Sequence, residues 1–377
     1  MPKSPVSAAE ILLAELADWV CMETPTTDAA AVNRLMDVAH HALAEAGADI
    51  TRIPGRDGYG DNLVARSPHS ASGANKPILM AGHLDTVWSH GTLDSMPCRV
   101  DGDNAHGPGI FDMKAGSFLG FNALRTILAN KVPTNRPITL LLTPDEEVGS
   151  PTSRDLIEAE ARAAECVLIL EPASANDACV TARKGVGRFT VSIRGVGAHA
   201  GGSFQDGASA IVELARQIER LHGMVDVPAG ITLNVAPIWG GSRPNVIAPD
   251  AGCEVDLRVP SIEAGDRMEA MILGLQPVDP RCGLVVTGGM NRPPMAETPA
   301  ILALYGRARA AAAAAGFTMP KQHRGGGSDG NFTAALGLPT LDGLGCPGAG
   351  AHASHEHIHW RALAPRAAML ATLLETL

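Results

Sequence analysis

PITLLLTPDEEVGS, residues 137–150, sets how the rest of the chain is read. A short apolar run of strand-like length meets a proline, and three acids follow at once: Asp145, Glu146 and Glu147. Neighbouring carboxylates repel, and the end of a strand inside a fold is a poor place to solvate them. The run therefore calls for a counter-charge.

The same texture recurs on both sides. PILMAGHLDTV (77–87) starts as a buried strand and breaks at Gly82, and CVLILEP (166–172) reads as a third strand. Helical spacing marks residues 8–20, 30–47, 115–130 and 154–165, with Gly47 as a C-cap. Strand and helix in alternation predict an α/β fold around a mostly parallel central sheet. From residue 184 the pattern changes. Alternating, glycine-punctuated strands (185–201, 231–241, 251–260, 282–289) enclose two helices (209–223, 265–275). That β-α-β-β-α-β order predicts an inserted α+β, ferredoxin-like domain over 184–291, with 1–183 and 292–377 forming one discontinuous domain. A helix from 298, closed by Gly316, and a final helix complete the chain.

With 377 residues, the chain is long for a single core, which fits two domains. Its net charge of −10 argues against a nucleic-acid partner, whose phosphates want a basic face. Seven cysteines, an odd number with no CxxC pair, are neither a disulfide framework nor a thiolate zinc site, and suggest a reducing compartment. The N-terminal stretch MPKSPVSAAEILLAELADWV lacks the basic start and cleavage site of a signal peptide, and no apolar run approaches the roughly 20 residues of a membrane span. A cytoplasmic protein with no membrane partner is expected.

The candidate chemistry sits just beyond the strands. His83 and Asp85 follow the first, Glu146 and Glu147 the second, and Glu171 the third. In an open parallel sheet the carboxyl ends of the strands are where sites form. Asp112, in GPGIFDMKAG, and His352, in GCPGAGAHASHEH, lie on glycine-rich loops. Taken singly, each has a plainer reading: HxD as a core hydrogen-bond pair, DEE as a solvated turn, and His355, His357 and His359 as surface groups. Jointly, imidazoles and carboxylates without cysteine suit zinc or a similar divalent ion. Two such ions sharing a carboxylate can polarise a carbonyl and generate hydroxide. On an extended segment Glu146 and Glu147 would point to opposite sides, one toward a metal and one toward the reacting water.

GHLDTV, GPGIFDMKAG, TPDEEVGS, LEP, GAHAG, RPNVIAPDAGCEVDLRV, GGGSDGNF and GAGAHASHE together resemble the dinuclear zinc aminoacylase/carboxypeptidase family, from about residue 10 to the end. Within it, RVDGDNAHGPGIFDMKAG, DEEVGSPTSRDLIEAEA and HRGGGSDGNF look most like the folate-hydrolysing branch of bacterial glutamate carboxypeptidases. The resemblance implies a zinc-peptidase-like catalytic domain holding two zinc ions, with cobalt or manganese able to take their places. Asp112 would bridge them, His83 and Glu171 would complete one site, and Glu147 and His352 the other. Glu146 would be the general acid/base and Asp85 would orient the His83 ring. The inserted domain resembles the family's lid and dimerisation domain. His199 would stabilise the oxyanion in a second subunit's site, implying a homodimer. Asn245, Arg292 and Gly326 would contact substrate, Arg292 through a free carboxylate, although the family's GRP reads NRP here. The implied activity is hydrolysis of an N-acyl or peptidyl amino acid to release a C-terminal residue such as glutamate. A deacylase of acetylated or succinylated amino acids, and a non-catalytic binding protein on the same fold, remain the alternatives. No GxSxG elbow supports a serine hydrolase.

Overall fold

The computed structural model describes residues 7–68 and 75–377; the first six residues of the N-terminal stretch read above lie outside them. The chain divides into two compact units: Met1–Ala182 with Glu297–His323 and Ser328–Leu377, and Arg183–Ala296 with Arg324–Gly327.

The first unit is built on a six-stranded sheet. Its order is Asp49–Ile53, Asn62–Arg66, Ile138–Thr143, Ile78–His83, Cys166–Ile169 and Thr340–Leu341. The last four strands run parallel, as expected for strands joined through helices. The first two form an antiparallel hairpin added to one edge, which the sequence reading missed. The three strands that precede the candidate acids are wholly buried. Their side chains alternate between two cores. Ile78, Met80, Leu140, Leu142 and Leu168 face a large cluster with helices Ala8–Val20, Ala29–Glu45, Ala115–Ala129 and Leu363–Thr376. Leu79, Ala81, Leu141, Val167 and Ile169 face a smaller one with helix Arg154–Ala163. Burial on both faces explains why these strands read as unbroken apolar runs.

Local signals account for the helix ends. Ser7 and Glu10 form a reciprocal capping box before Ala8–Val20. Gly47 takes φ +98 just past Ala29–Glu45, where a side chain would be strained. Gly116 is required for a different reason: a Cβ there would lie 1.8 Å from the backbone oxygen of Leu170. Its absence lets helix Ala115–Ala129 press onto the strand end that leads to Glu171.

A four-stranded arm was also not foreseen. Arg99–Asp101, Asn104–His106, Gly348–Ala349 and His357–His359 pair antiparallel and tie the loops around residues 107 and 352 together. These strands are two or three residues long, too short for periodicity to register.

The second unit is a four-stranded antiparallel sheet in the order Thr232–Gly240, Asp250–Val259, Gly185–Arg194, Gly283–Arg292. Helices Ala210–His222 and Ile262–Leu273 share its core through Leu214, Leu221, Met268 and Ile272. The chain order β-α-β-β-α-β matches the expectation. Among the described residues, no helix is long and apolar enough to cross a membrane.

Candidate metal centre

Ile78–His83 lies between Ile138–Thr143 and Cys166–Ile169, so three loops leave the sheet side by side at its carboxyl edge. His83 ends the middle strand and is 1% exposed. Its ring Nδ1 sits 3.0 Å from the Asp85 carbonyl oxygen and 3.3 Å from Asp85 Oδ1. With Nδ1 placed to donate, Nε2 presents a lone pair. That atom faces Asp112 Oδ1 at 3.5 Å, Glu171 Oε1 at 3.8 Å and Glu146 Oε2 at 4.0 Å.

Asp112 is carried on a loop that begins at Gly109, whose φ of +71 glycine tolerates. Its other oxygen, Oδ2, faces His352 Nε2 at 3.4 Å, and His352 Nε2 lies 3.0 Å from Glu147 Oε2. One carboxylate thus spreads its two oxygens between two imidazoles. Donors bound to one tetrahedral ion at about 2.0–2.2 Å lie about 3.3–3.6 Å apart, close to this spacing. His83, Asp112 and Glu147 form one group of donor atoms within 4.8 Å of one another, and His83, Glu146 and Glu171 another. This grouping shares His83 where the sequence reading shared Asp112, and it brings Glu146 inward.

The Glu146–Glu147 pair corrects a local expectation. Residues Glu146–Val148 are a 3-10 turn closed by Gly149, not an extended segment. The two glutamates diverge because the turn splays them, and the turn is anchored by Asp85. Its carboxylate accepts the amides of Glu146 and Glu147, at 3.2 and 3.3 Å, and the Thr26 hydroxyl at 2.8 Å. Asp85 therefore holds both the His83 ring and the acid-bearing turn.

Asp145, the first of the three acids, belongs to a different network. It is fully buried and accepts the Thr152 amide and hydroxyl, each at 2.7 Å, and the Ser153 hydroxyl. One acid is held by hydrogen bonds beneath the site; the other two face into it.

The electrostatics are those of surplus negative charge. Burial pulls the His83 imidazole down, but the Asp112 and Asp85 carboxylates outweigh it and hold it well above its ordinary value. Hydrogen bonds to Asp112 and Glu147 raise His352 to about 10. Burial would raise Asp112, yet His352 and His83 hold it well below the usual carboxylate range. Burial pushes Glu147 up. Two buried atoms, His83 Nε2 and Glu147 Oε1, have no hydrogen-bond partner. Buried polar atoms left without a partner cost free energy, and an imidazole nitrogen and a carboxylate oxygen are of the kind a divalent cation would satisfy. The residue set fits such an ion.

Two contributors were missed. Glu356, fully buried, accepts the amides of Gly109, Phe111 and Asp112 at 3.0, 2.8 and 3.0 Å, and the Trp88 indole N–H at 2.7 Å. Burial raises its carboxyl to about 7. It sat unnoticed among the histidines of HASHEHIH. Asp329 accepts the Ser150 hydroxyl at 2.5 Å, tying the helix after GGGSD to the turn after Glu147.

The remaining predicted residues lie in the second unit. His199 is exposed, and its Nδ1 accepts the amides of Gly201 and Gly202 at 3.1 and 3.0 Å. Asn245 is exposed on the adjoining segment, its carbonyl accepting the Ala200 amide at 3.0 Å. Arg292 ends its strand and is 4% exposed, not a surface group. A Cβ on Gly327 would come 2.7 Å from Arg292 Cδ, so the triple glycine lies directly against that arginine. Gly326 accepts a hydrogen bond at its carbonyl from Arg183 at 3.1 Å.

Known proteins share this framework. The chain is 31% identical over 365 residues to carboxypeptidase G2 of Pseudomonas sp. (strain RS-16), covering 95% of this chain and 87% of that one. It is 27% identical over 251 residues to the acetylornithine deacetylase of Klebsiella pneumoniae (strain 342), covering 62% of this chain and 63% of that one. Aminopeptidase PepT from Bacillus cereus superposes with a TM-score of 0.76 at 22% identity, covering 97% of this chain and 98% of that one. The metallo-carboxypeptidase Sso-CP2 from Sulfolobus solfataricus superposes with 0.75 at 14% identity and the same coverage. The model of peptidase family M20/M25/M40 matches residues 79–376, and with this site at its sheet edge the chain belongs to that family of metallopeptidases.

Proposed function

We propose that the protein is a two-metal amidohydrolase that releases a C-terminal amino acid, glutamate foremost, from N-acyl or peptidyl conjugates. The observation that carries the two-ion reading is the division of Asp112, one oxygen toward His83 and the other toward His352. Asp112 would bridge two zinc ions, with His83 and Glu171 on one side and Glu147 and His352 on the other. Cobalt or manganese suit the same donors. Bound there, the ions would polarise the scissile carbonyl and acidify a water.

Glu146 lies within reach of His83 and Glu171, but left outside the proposed ligand set it would serve as the general acid/base, taking a proton from the attacking water and giving it to the leaving amine. Asp85 keeps the Glu146 turn and the His83 ring in register. His199 fits an oxyanion donor: with Nδ1 accepting two backbone amides, its proton resides on Nε2, and the ring is exposed. We place it in the site of a second copy, which makes the active form a homodimer. Arg292 would receive the free carboxylate of the substrate, with Gly326 beside it and Asn245 as a further substrate contact. The likeness to carboxypeptidase G2 over 95% of the chain favours release of a C-terminal residue. The shorter likeness to acetylornithine deacetylase supports the second reading, a deacylase of N-acylated amino acids.

The test is release of free amine by zinc-loaded protein from benzoyl-, aminobenzoyl- and acetyl-glutamate, the matching aspartate and alanine compounds, folate and acetylornithine. Parallel reactions carry a chelator or the Glu146→Ala protein. Chelator-sensitive cleavage of acyl-glutamates, lost in the variant, is the expected result. Cleavage of acetylornithine alone would move the protein to the deacylase reading. Metal-independent silence on every substrate would overturn both and leave a binding protein on this fold.

A further inference from the structure

The sulfurs of Cys21 and Cys98 lie 3.2 Å apart, although 77 positions separate them in the chain. Cys21 caps the C-terminal end of helix Ala8–Val20 and is exposed. Cys98 is half-buried and directly precedes the strand Arg99–Asp101 of the small arm. The other five cysteines are buried. A cavity of about 180 Å³ runs along the same seam, with Cys98, Leu13, Ala17 and Val20 among its walls. The seam is otherwise tight: a Cβ on Gly107 would come 2.5 Å from Val20 Cγ1 and 3.3 Å from Cys98 Sγ.

This juxtaposition is unlike a packed pair of inert thiols. A disulfide needs its sulfurs at about 2.05 Å, so the two are about 1 Å from bonding distance. One partner is exposed and the other half-buried, the division of roles seen where an attacking and a resolving thiol cooperate. Burial and the neighbouring Cys21 sulfur push Cys98 up to about 12, and Cys21, the exposed one of the two, is the thiol that a reagent from solvent meets first.

We propose that Cys21 and Cys98 are a redox-responsive dithiol that a low-molecular-weight disulfide, such as oxidised glutathione, converts to an intramolecular cystine. The Cys21 thiolate attacks one sulfur of the glutathione disulfide, forming a mixed disulfide and releasing one glutathione thiolate. The Cys98 thiol then gives its proton to solvent and attacks the Cys21 sulfur, expelling the second glutathione. Two electrons pass from the protein to glutathione, and no other reactant is needed. The bond fastens the end of the first helix to the arm. The adjoining Met22 carbonyl accepts the buried Lys114 ammonium at 2.7 Å, so the tether lies next to the segment that follows Asp112. Closing a 77-residue loop in a geometry already near bonding should stabilise the fold.

The experiment treats the folded, full-length protein with oxidised glutathione, blocks the remaining thiols under denaturing conditions and maps them by peptide mass spectrometry. Two of the seven thiols should be lost, and a cross-linked peptide pair should join Cys21 to Cys98. Cys98→Ser should instead trap glutathione on Cys21, and dithiothreitol should reverse both products. The oxidised wild type should melt several degrees higher than the reduced form. Seven intact thiols, a stable mixed disulfide on wild-type Cys21, or a bridge that appears only after unfolding would overturn the proposal. A cross-link that lowers the melting point would overturn the pre-formed geometry on which it rests.

Discussion

Glu356 holds Asp112 by its backbone: the carboxylate accepts the Asp112 amide at 3.0 Å and the amides of Gly109 and Phe111 alongside it. These residues are more than 240 positions apart, and the short arm of paired strands brings them together. Three amide donors on one buried carboxylate define where the Asp112 side chain starts. Glu356→Ala would strand those donors, each worth about 1–3 kcal/mol when left unpaired. The variant should lose metal affinity by about 10–100-fold, the scale seen when a supporting partner of a ligand is removed. Chelator competition measures this, and Glu356→Gln, which keeps its acceptor oxygen, should fall between the variant and the wild type.

Metal stoichiometry separates the roles of the cluster. Asp112→Ala should lower the bound metal from two equivalents toward zero, because both sites share that residue in the proposed assignment. Glu147→Ala should leave one tight equivalent. Glu146→Gln should keep both while reducing kcat by about 10²–10⁴-fold. Atomic emission after dialysis reads the metal, and amine release reads the rate. Full metal retention in Asp112→Ala would remove it as the bridging ligand.

Asp145 should behave unlike its two neighbours. Asp145→Ala leaves the Thr152 amide and two hydroxyls without their acceptor in a fully buried position. The expected outcome is a loss of about 2–4 kcal/mol in urea unfolding, with near-normal metal content in the protein that remains folded. Loss of metal with unchanged stability would place Asp145 in the site instead of beneath it.

Gly116→Ala tests the seam between helix Ala115–Ala129 and the strand end before Glu171. The new methyl would meet a backbone oxygen at 1.8 Å, and backbone cannot rotate away as a side chain can. Overpacking of this kind costs about 1–3 kcal/mol, measurable by urea unfolding. Because Leu170 adjoins Glu171, activity should fall further than the loss of folded protein explains.

Glu297 offers a pH-dependent contribution away from the site. Lys321 holds it at 2.7 Å, with the Thr181 hydroxyl at 2.5 Å, and lowers its carboxyl from 4.5 to about 2. A depressed carboxylate stabilises the fold above its unfolded value and loses that contribution as pH falls. Glu297→Gln should therefore melt below the wild type at pH 7, and the gap should close between pH 4.5 and about pH 2.

The parallel strands were legible because burial on both faces demands uninterrupted apolar side chains: Ile78–His83, Ile138–Thr143 and Cys166–Ile169 could hardly be read otherwise. The β-α-β-β-α-β order of the second unit was legible from its alternation and glycines. The antiparallel edge hairpin was missed because Asp49–Ile53 is half-exposed and mixes charged with apolar residues. The arm was missed because its strands are too short to show a period.

For the site, His83, Glu146, Glu147 and Glu171 just past buried strands, with Asp112 and His352 on glycine-rich loops, were singled out jointly rather than one by one, and the fold brings these side chains together at one edge of the sheet. Sequence alone specified which side chains could do chemistry and the end of the sheet they would occupy, because both follow from local composition and strand order. Only the folded structure decided how each acid is used. Asp145 is taken up by Thr152 and Ser153 just after it, which the turn closed by Gly149 folds back over its carboxylate, whereas Glu147 faces the cluster, where it meets His352 from far along the chain. The same holds for Glu356, whose three amide donors come from a loop that no local pattern connects to it.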